Sequence, residues 1–323
     1  MTPFNQLTSQ GQIRRYHRLA RLVLESYPLT VKKLRCISMR HNVIFRVDTD
    51  TGTYALKIGY PGIRSREMVQ SEMQWLADMQ TAGIDFTFST PIRTKDGKSV
   101  VSHEVEGIPE ERHSVLMTWL PGRLVSTHPM PQKLKKIGIA MAKLHNFSDT
   151  YQPEKPFMTY DAFRCDEWGG LYYLEDSHPY LTADEKSSFK QAIKTAEEAL
   201  STARERDGLK LIHADLHLKN TMWYKGNIAV FDFDDCRWGH HLQDLGVILS
   251  WFDESTEDGK KMKKAFLKGY DSQRPLNYTE KDLKRAVMHR KMVGLTFVMN
   301  YRPLLMRKAS EETFNWLKKE SQG

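Results

Sequence analysis

The dominant hydrophobic period of the chain changes at Pro121-Gly122. Before that point apolar residues sit in short runs rich in β-branched side chains, at residues 33–37, 43–48, 53–58, 100–105 and 113–120. After it they recur every three to four positions through 132–146, 183–206 and 242–252, and again beyond 257. Period two requires a sheet with one buried face, and a period near 3.6 requires a helix with a buried stripe. Two helical stretches, 12–26 and 65–81, interrupt the β-rich part, and one β-like section, 211–233, interrupts the helical part. Strands first and helices after predict an α+β chain rather than an alternating βαβ one. The expected architecture is bilobal: a small β-rich lobe with one key helix over residues 1–120, and a larger helical lobe over 121–323. A cleft between two such lobes is where a small ligand binds.

Several function classes fall away on composition. Lys and Arg exceed Asp and Glu by 48 to 40, a net charge of +8. The excess is scattered, with Arg14, Arg15, Arg18 and Arg21 near the start and Lys260, Lys261, Lys263 and Lys264 much later. That pattern reads as solvated helix faces rather than a nucleic-acid surface. No run approaches the roughly 20 apolar residues of a membrane span, and the first residues lack a basic segment followed by an apolar one. Cys36, Cys165 and Cys236 are odd in number and far apart, so neither a disulfide framework nor a zinc site is expected. The expectation is a cytoplasmic protein acting on a small molecule, without nucleic acid or membrane, as a monomer or homodimer.

The sharpest chemical signal is His213-Ala214-Asp215-Leu216-His217-Leu218-Lys219-Asn220, followed by Phe231-Asp232-Phe233-Asp234-Asp235. Asn220 and Asp232 flank a short hairpin pattern and supply two oxygen ligands. Mg2+ between phosphates takes one or two protein oxygens and fills its remaining positions with phosphate and water. Asp215, on the same loop as Asn220, is placed to accept a proton from an attacking hydroxyl, while His213 reads as buried and structural. Turn capping by Asp215 and Asn220 is the plainer alternative.

The β-rich part adds a second half to this chemistry. In the 53–58 run, Tyr54, Leu56 and Ile58 share one face, and Ala55 and Lys57 the other. A small residue and a lysine two apart suit a base and its phosphates; an edge strand with a solvated lysine is the alternative. The helix that follows has Met68, Trp75, Leu76 and Met79 as its apolar stripe, with Glu72 inside it and Glu67, Ser71, Gln74 and Asp78 on the wet side. A buried carboxylate needs a partner, and Lys57 is the expected one. Lys57 and Glu72 with Asp215, Asn220 and Asp232 make a phosphoryl-transfer set.

With these residues the chain resembles the aminoglycoside phosphotransferase and choline kinase superfamily, of protein-kinase-like fold. Ala55-Leu56-Lys57 is similar to its strand lysine motif, Glu72 to its helix glutamate, and residues 213–232 to its catalytic loop and metal aspartate. The 232–245 stretch is similar to a subgroup that includes type II homoserine kinases. The resemblance implies that ATP and Mg2+ are used, with residues 115–122 linking the lobes. Met117 would then line the adenine pocket, with the Thr118 carbonyl and Leu120 amide at the adenine edge, and Asp244 would brace the catalytic loop. Where the family covers the phosphates, residues 38–42 (Ser38, Met39, Arg40, His41, Asn42) contain no glycine, so backbone amides with Ser38 or Arg40 are expected there. His217 stands where protein kinases carry lysine, and Arg64 and Arg66 read as an ordinary basic loop, with reach to the phosphates as the alternative.

The acceptor is expected against the helical lobe, under residues 160–173 and near Asp234, Asp235 and Arg237. The acids and aromatics of 161–170 suggest an ammonium or sugar group, or else a connecting loop. The expected activity is transfer of the ATP γ-phosphoryl to a hydroxyl of an amino acid, amino alcohol, sugar or aminoglycoside-like molecule. A protein Ser/Thr kinase of the same fold and a pseudokinase are the alternatives; the 11-position step from Asp232 to Gln243 is short for an activation segment.

Overall fold

The computed structural model describes residues 2–40, 42–161 and 164–322. They form two compact units. The first runs to Arg123 and regains Gln152–Thr159 and Met222–Asp234; the second comprises Leu124–Tyr151, Tyr160–Thr221 and the chain from Asp235 onward.

In the first unit, α1 (Ser9–Glu25) is capped by Thr8, whose hydroxyl accepts from the Gly11 amide. The strands are β1 (Val31–Met39), β2 (Asn42–Thr49) and β3 (Thr53–Gly59), followed by α2 (Arg66–Thr81) and then β4 (Thr87–Phe88), β5 (Val101–Val105) and β6 (Ile108–Thr118). Five of the strands form one sheet in the order β1-β2-β3-β6-β5. The β2–β3 hairpin closes at Asp50-Thr51-Gly52, where the Thr49 amide bonds the Gly52 carbonyl. Alternation delivers Phe45, Val47, Leu56 and Ile58 to one face, where they pack with Tyr16, Leu19, Ala20 and Val23 of α1. Ala55 and Lys57 are left on the other face. β6 begins at Ile108, five residues before the periodicity suggests, because Val105 pairs with Ile108 across a tight Glu106-Gly107 turn. Pro109 and three charged residues conceal that edge of the strand from a hydrophobicity reading.

The second unit opens with the short strand β7 (Arg123–Leu124), which straddles the boundary, and continues with α3 (Pro131–Thr150), α4 (Ala183–Asp207) and β8 (Lys210–Ile212). A hairpin follows, β9 (Thr221–Tyr224) and β10 (Asn227–Val230), most of which belongs to the first unit, where β10 lies parallel to β4. The remainder is β11 (Arg237–Gly239), α5 (His241–Leu249), α6 (Glu257–Asp271), α7 (Glu280–Tyr301) and α8 (Met306–Gln322). Helices α3 and α6 cross at glycines from both sides. A Cβ on Gly138 would lie 2.1 Å from the Phe266 carbonyl oxygen, and one on Gly269 would lie 2.0 Å from that of Lys135. The backbones meet because neither residue has a side chain. Among the described residues no helix is long and apolar enough to cross a membrane.

Candidate active site

The first unit assembles a four-charge cluster around Lys57. The lysine sits mid-strand on β3, and Glu72 lies nearly two turns into α2, a helix started by the Ser65 hydroxyl accepting from the Met68 amide. Lys57 Nζ donates to Glu72 Oε1 at 3.0 Å and also to Asp234 Oδ1. Arg64, read from the sequence as part of a basic loop, instead turns inward. It donates to Glu72 Oε2 at 2.5 Å and to the Met68 carbonyl at 3.1 Å, with Asp234 Oδ1 at 3.7 Å. Glu72 is 1% exposed, so its charge is tolerated only because two cations hold it.

Asp234 was expected among the acceptor contacts; the structure pairs it with Lys57. It closes the Lys57 cluster and accepts from Asn42 Nδ2 at 2.5 Å. Burial would raise its pKa, but Lys57 and Arg64 override that and hold it well below the usual carboxylate range. Burial would likewise lower Lys57, and Asp234 and Glu72 instead push it up. The turn that delivers Asp234 is anchored by Phe233, which is buried edge-on to Trp75 at 5.6 Å. Asp232, just before it, has φ +67°, a left-handed conformation that a non-glycine residue adopts only when its surroundings impose it.

The β1–β2 turn contributes Asn42 to this cluster, while Arg40 is exposed and its amide bonds the Asn42 carbonyl. Ser38 is partly buried, and His41 lies outside the described residues. Ser71, assigned to the wet side of α2, is 2% exposed because 152–159 packs over it: its hydroxyl accepts the Met158 amide at 2.8 Å. Ala55 pairs in register with Met117 on β6, and the Thr118 carbonyl accepts from Ser89 Oγ at 3.0 Å, one of its two lone pairs. Leu120 follows directly after β6 and is partly buried.

The second unit carries the Asp215 loop. Ala214 has φ +67°, and its amide donates to Asp244 Oδ1 at 2.6 Å; the His213 amide donates to Oδ2 at 3.1 Å. Asp244, fully buried on the first turn of α5, thus fixes the strained residue just ahead of Asp215. His213, also fully buried, accepts the Asp215 amide on Nδ1 at 3.3 Å. Asn220 Nδ2 donates both to the Asp215 carbonyl and to Asp215 Oδ2, each at 3.0 Å. Both amide protons are therefore spent on the loop, which leaves Asn220 Oδ1 as the free-facing donor atom for a hard cation. Asp215 Oδ1 accepts from Arg290 on α7 at 2.6 Å, and His217 Nε2 lies 3.4 Å from Oδ2.

Arg290 is 75 positions from Asp215. No local pattern in the sequence joins them; its only trace is a basic residue on a helix. Arg237, expected to touch the acceptor, is fully buried: its guanidinium holds Glu167 at 2.7 and 2.8 Å, bonds the Asp235 and Asp161 carbonyls, and stacks on Tyr160. It ties 160–167 to β11 rather than facing a ligand. Asp235 remains one-third exposed. Ala162 and Phe163 of the expected acceptor segment lie outside the described residues.

Beneath the Asp215 loop, His145 and His241 stack at 4.0 Å. His145 Nε2 faces Asp244 Oδ2 at 3.2 Å and Nδ1 faces the Tyr270 hydroxyl at 2.8 Å, which suits a neutral ring protonated on Nε2. Burial holds both histidines well below their ordinary pKa and pushes Asp244 up to about 6. As pH falls below the free histidine value, the unfolded chain gains two protons that the folded one refuses, so stability drops. Below about pH 6 folded Asp244 takes one proton, leaving a net deficit of one. The expected loss is then about 1.4 kcal/mol per pH unit from these groups. Urea midpoints measured from pH 7.5 to 5 will fall, and His241→Phe, which keeps the ring stack, will flatten the fall by one proton. An unchanged slope in that variant would show that His241 is not held neutral.

Relatives sharpen the chemistry. The amicoumacin kinase of Bacillus subtilis (strain 168) is 25% identical over 257 residues, covering 76% of this chain and 73% of that protein. A microcompartment-associated aminopropanol kinase superposes with a TM-score of 0.72 at 21% identity over 94% of both chains. An amicoumacin kinase solved with AMP-PNP, Ca2+ and Ami gives 0.73 at 20% identity, over 95% of this chain and 96% of that one. Residues 36–276, well over half of the chain, match the model of the phosphotransferase enzyme family, so the chain belongs to that family and has its protein-kinase-like α+β fold.

Proposed function

We propose that this phosphotransferase moves the γ-phosphoryl group of ATP onto a hydroxyl of a small molecule. The carrying observation is that each unit presents one half of a phosphoryl-transfer set: Lys57 oriented by Glu72, and Asp215 held on a braced loop with Asn220. The relatives include an amicoumacin kinase and an aminopropanol kinase, and one was solved with AMP-PNP, which supports the same reading. Lys57 binds the phosphates, exchanging Asp234 for them, and Arg64 remains on Glu72 as a second cation where residues 38–42 supply no glycine. Asn220 and Asp232 would hold Mg2+, which would supply charge neutralisation to the phosphates. Ala55, Met117, Thr118 and Leu120 form the adenine contacts.

Asp215 orients the acceptor hydroxyl. The hydroxyl oxygen forms a bond to the γ-phosphorus, and the bond from that phosphorus to the β,γ-bridging oxygen breaks. ADP leaves with the electron pair, and the hydroxyl proton passes to Asp215. Positioning and charge supply most of the rate. The three cysteines are free thiols, two of them buried, which fits a reducing cytoplasm.

ADP release from Mg-ATP over pooled alcohols tests the reading. One or more pools should stimulate release, and Lys57→Met should raise the KM for ATP and cut kcat/KM by about 100-fold. Phosphorylation of a protein substrate with no response to any alcohol would favour the Ser/Thr kinase alternative, and absence of turnover with intact ATP binding would favour a pseudokinase.

A further inference from the structure

We infer that the acceptor carries an anionic group, a carboxylate beside its reactive hydroxyl, and that Arg290 recognises it; this rests on the kinase reading above. Asp215 Oδ2 has two neighbours, Asn220 and His217, whereas Oδ1 has Arg290 alone, so Oδ1 keeps a lone pair for the acceptor hydroxyl. Arg290 stands on that same oxygen at 2.6 Å. A hydroxyl bound at Oδ1 therefore lies within reach of the guanidinium, as does whatever its neighbouring carbon bears.

Arg290 has donors to spare. Among the described residues Asp215 is its only hydrogen-bond partner, one of its five N–H groups is used, and its side chain is 25% exposed. The planar fork of the remaining groups matches a carboxylate in two-point contact. Nearby charge has the same sign. Lys219 is exposed over the Trp251 ring, on which His217 packs, held below its ordinary pKa by burial and therefore neutral.

The acids that would favour a cationic acceptor are already paired within this unit. Asp166 is held by Arg164 at 3.1 Å and Glu167 by Arg237 at 2.7 Å. Asp161 and Asp235 keep some exposure, but Asp235 lies 3.9 Å from Arg237. The balance around Asp215 favours an anion, and an ammonium group placed beside Arg290 would be repelled.

Three acceptor pools matched in carbon skeleton decide the matter: hydroxy acids and hydroxy amino acids (glycerate, gluconate, homoserine), the corresponding amino alcohols, and the corresponding neutral polyols. Wild-type protein with Mg-ATP should release ADP with the first pool at a rate at least tenfold above the other two. With the active acid, Arg290→Gln should lower kcat/KM by about 100-fold, mostly through KM. Arg290→Lys should recover part of that loss. Turnover of amino alcohols or polyols in preference to acids overturns the inference, as does silence from the acid pool. A fall in kcat of equal size for every acceptor in Arg290→Gln would assign the residue to the γ-phosphoryl group instead, and would overturn it too. Failure of the kinase reading looks different: Asp215→Asn would then release ADP as fast as wild type.

Discussion

Asp215→Asn lowers kcat by about three orders of magnitude while leaving the KM for ATP within about twofold. The asparagine keeps an oxygen for Arg290 and for the incoming hydroxyl and loses only the Asn220 bond to Oδ2, the one to the Asp215 carbonyl remaining, but it cannot take the proton. General-base contributions span roughly 10²–10⁴, and the middle of that range is expected because positioning by the loop remains. The fold should hold, since Asp215 is 19% exposed and its loop is fixed from Asp244 rather than from itself. Single-turnover transfer and nucleotide binding, measured on the same preparation, separate the two effects. A kcat within tenfold of wild type would remove Asp215 from proton transfer, and a parallel loss of ATP binding would indicate a collapsed loop.

Asp244→Ala should be the most destabilising single change near the site. It removes the acceptor for the His213 and Ala214 amides and the partner of His145 Nε2, all of them buried. An unsatisfied buried donor costs about 1–3 kcal/mol. The carboxylate removed was itself unfavourably buried, as its pKa near 6 indicates, and that offsets part of the loss. A net loss of about 3 kcal/mol follows, a large fraction of the 5–15 kcal/mol that holds a typical domain. Ala214 would leave its left-handed conformation and carry Asp215 with it, so turnover should also fall at temperatures where circular dichroism still shows a folded chain. Asp244→Asn retains one acceptor oxygen and should lose less. If Asp244→Ala unfolds at the wild-type urea midpoint, Asp244 does not brace the loop.

Local pattern carried a large part of this protein. The period change at Pro121-Gly122, the strand alternation that puts Lys57 opposite Leu56, and the position of Glu72 within an apolar stripe are all short-range facts. Short-range facts are what a single chain displays. Strands of two or three residues, such as β4 and β11, were not legible, because two residues show no period. Neither was the return of 152–159 to the first unit, which buried Ser71 against expectation.

What the sequence determined was the kind of chemistry: a lysine needing an acid, an acid needing a lysine, and an Asp–Asn–Asp series spaced for a cation and a proton. Beyond the Lys57–Glu72 pair, tertiary structure alone decided the partners. Asp234 went to Lys57 and Arg237 into the interior because each buried charge must find a counter-charge wherever the fold offers one. Arg290 reached Asp215 across 75 residues because the α5–α7 packing brings that helix to the loop, and no spacing along the chain encodes a contact made in three dimensions.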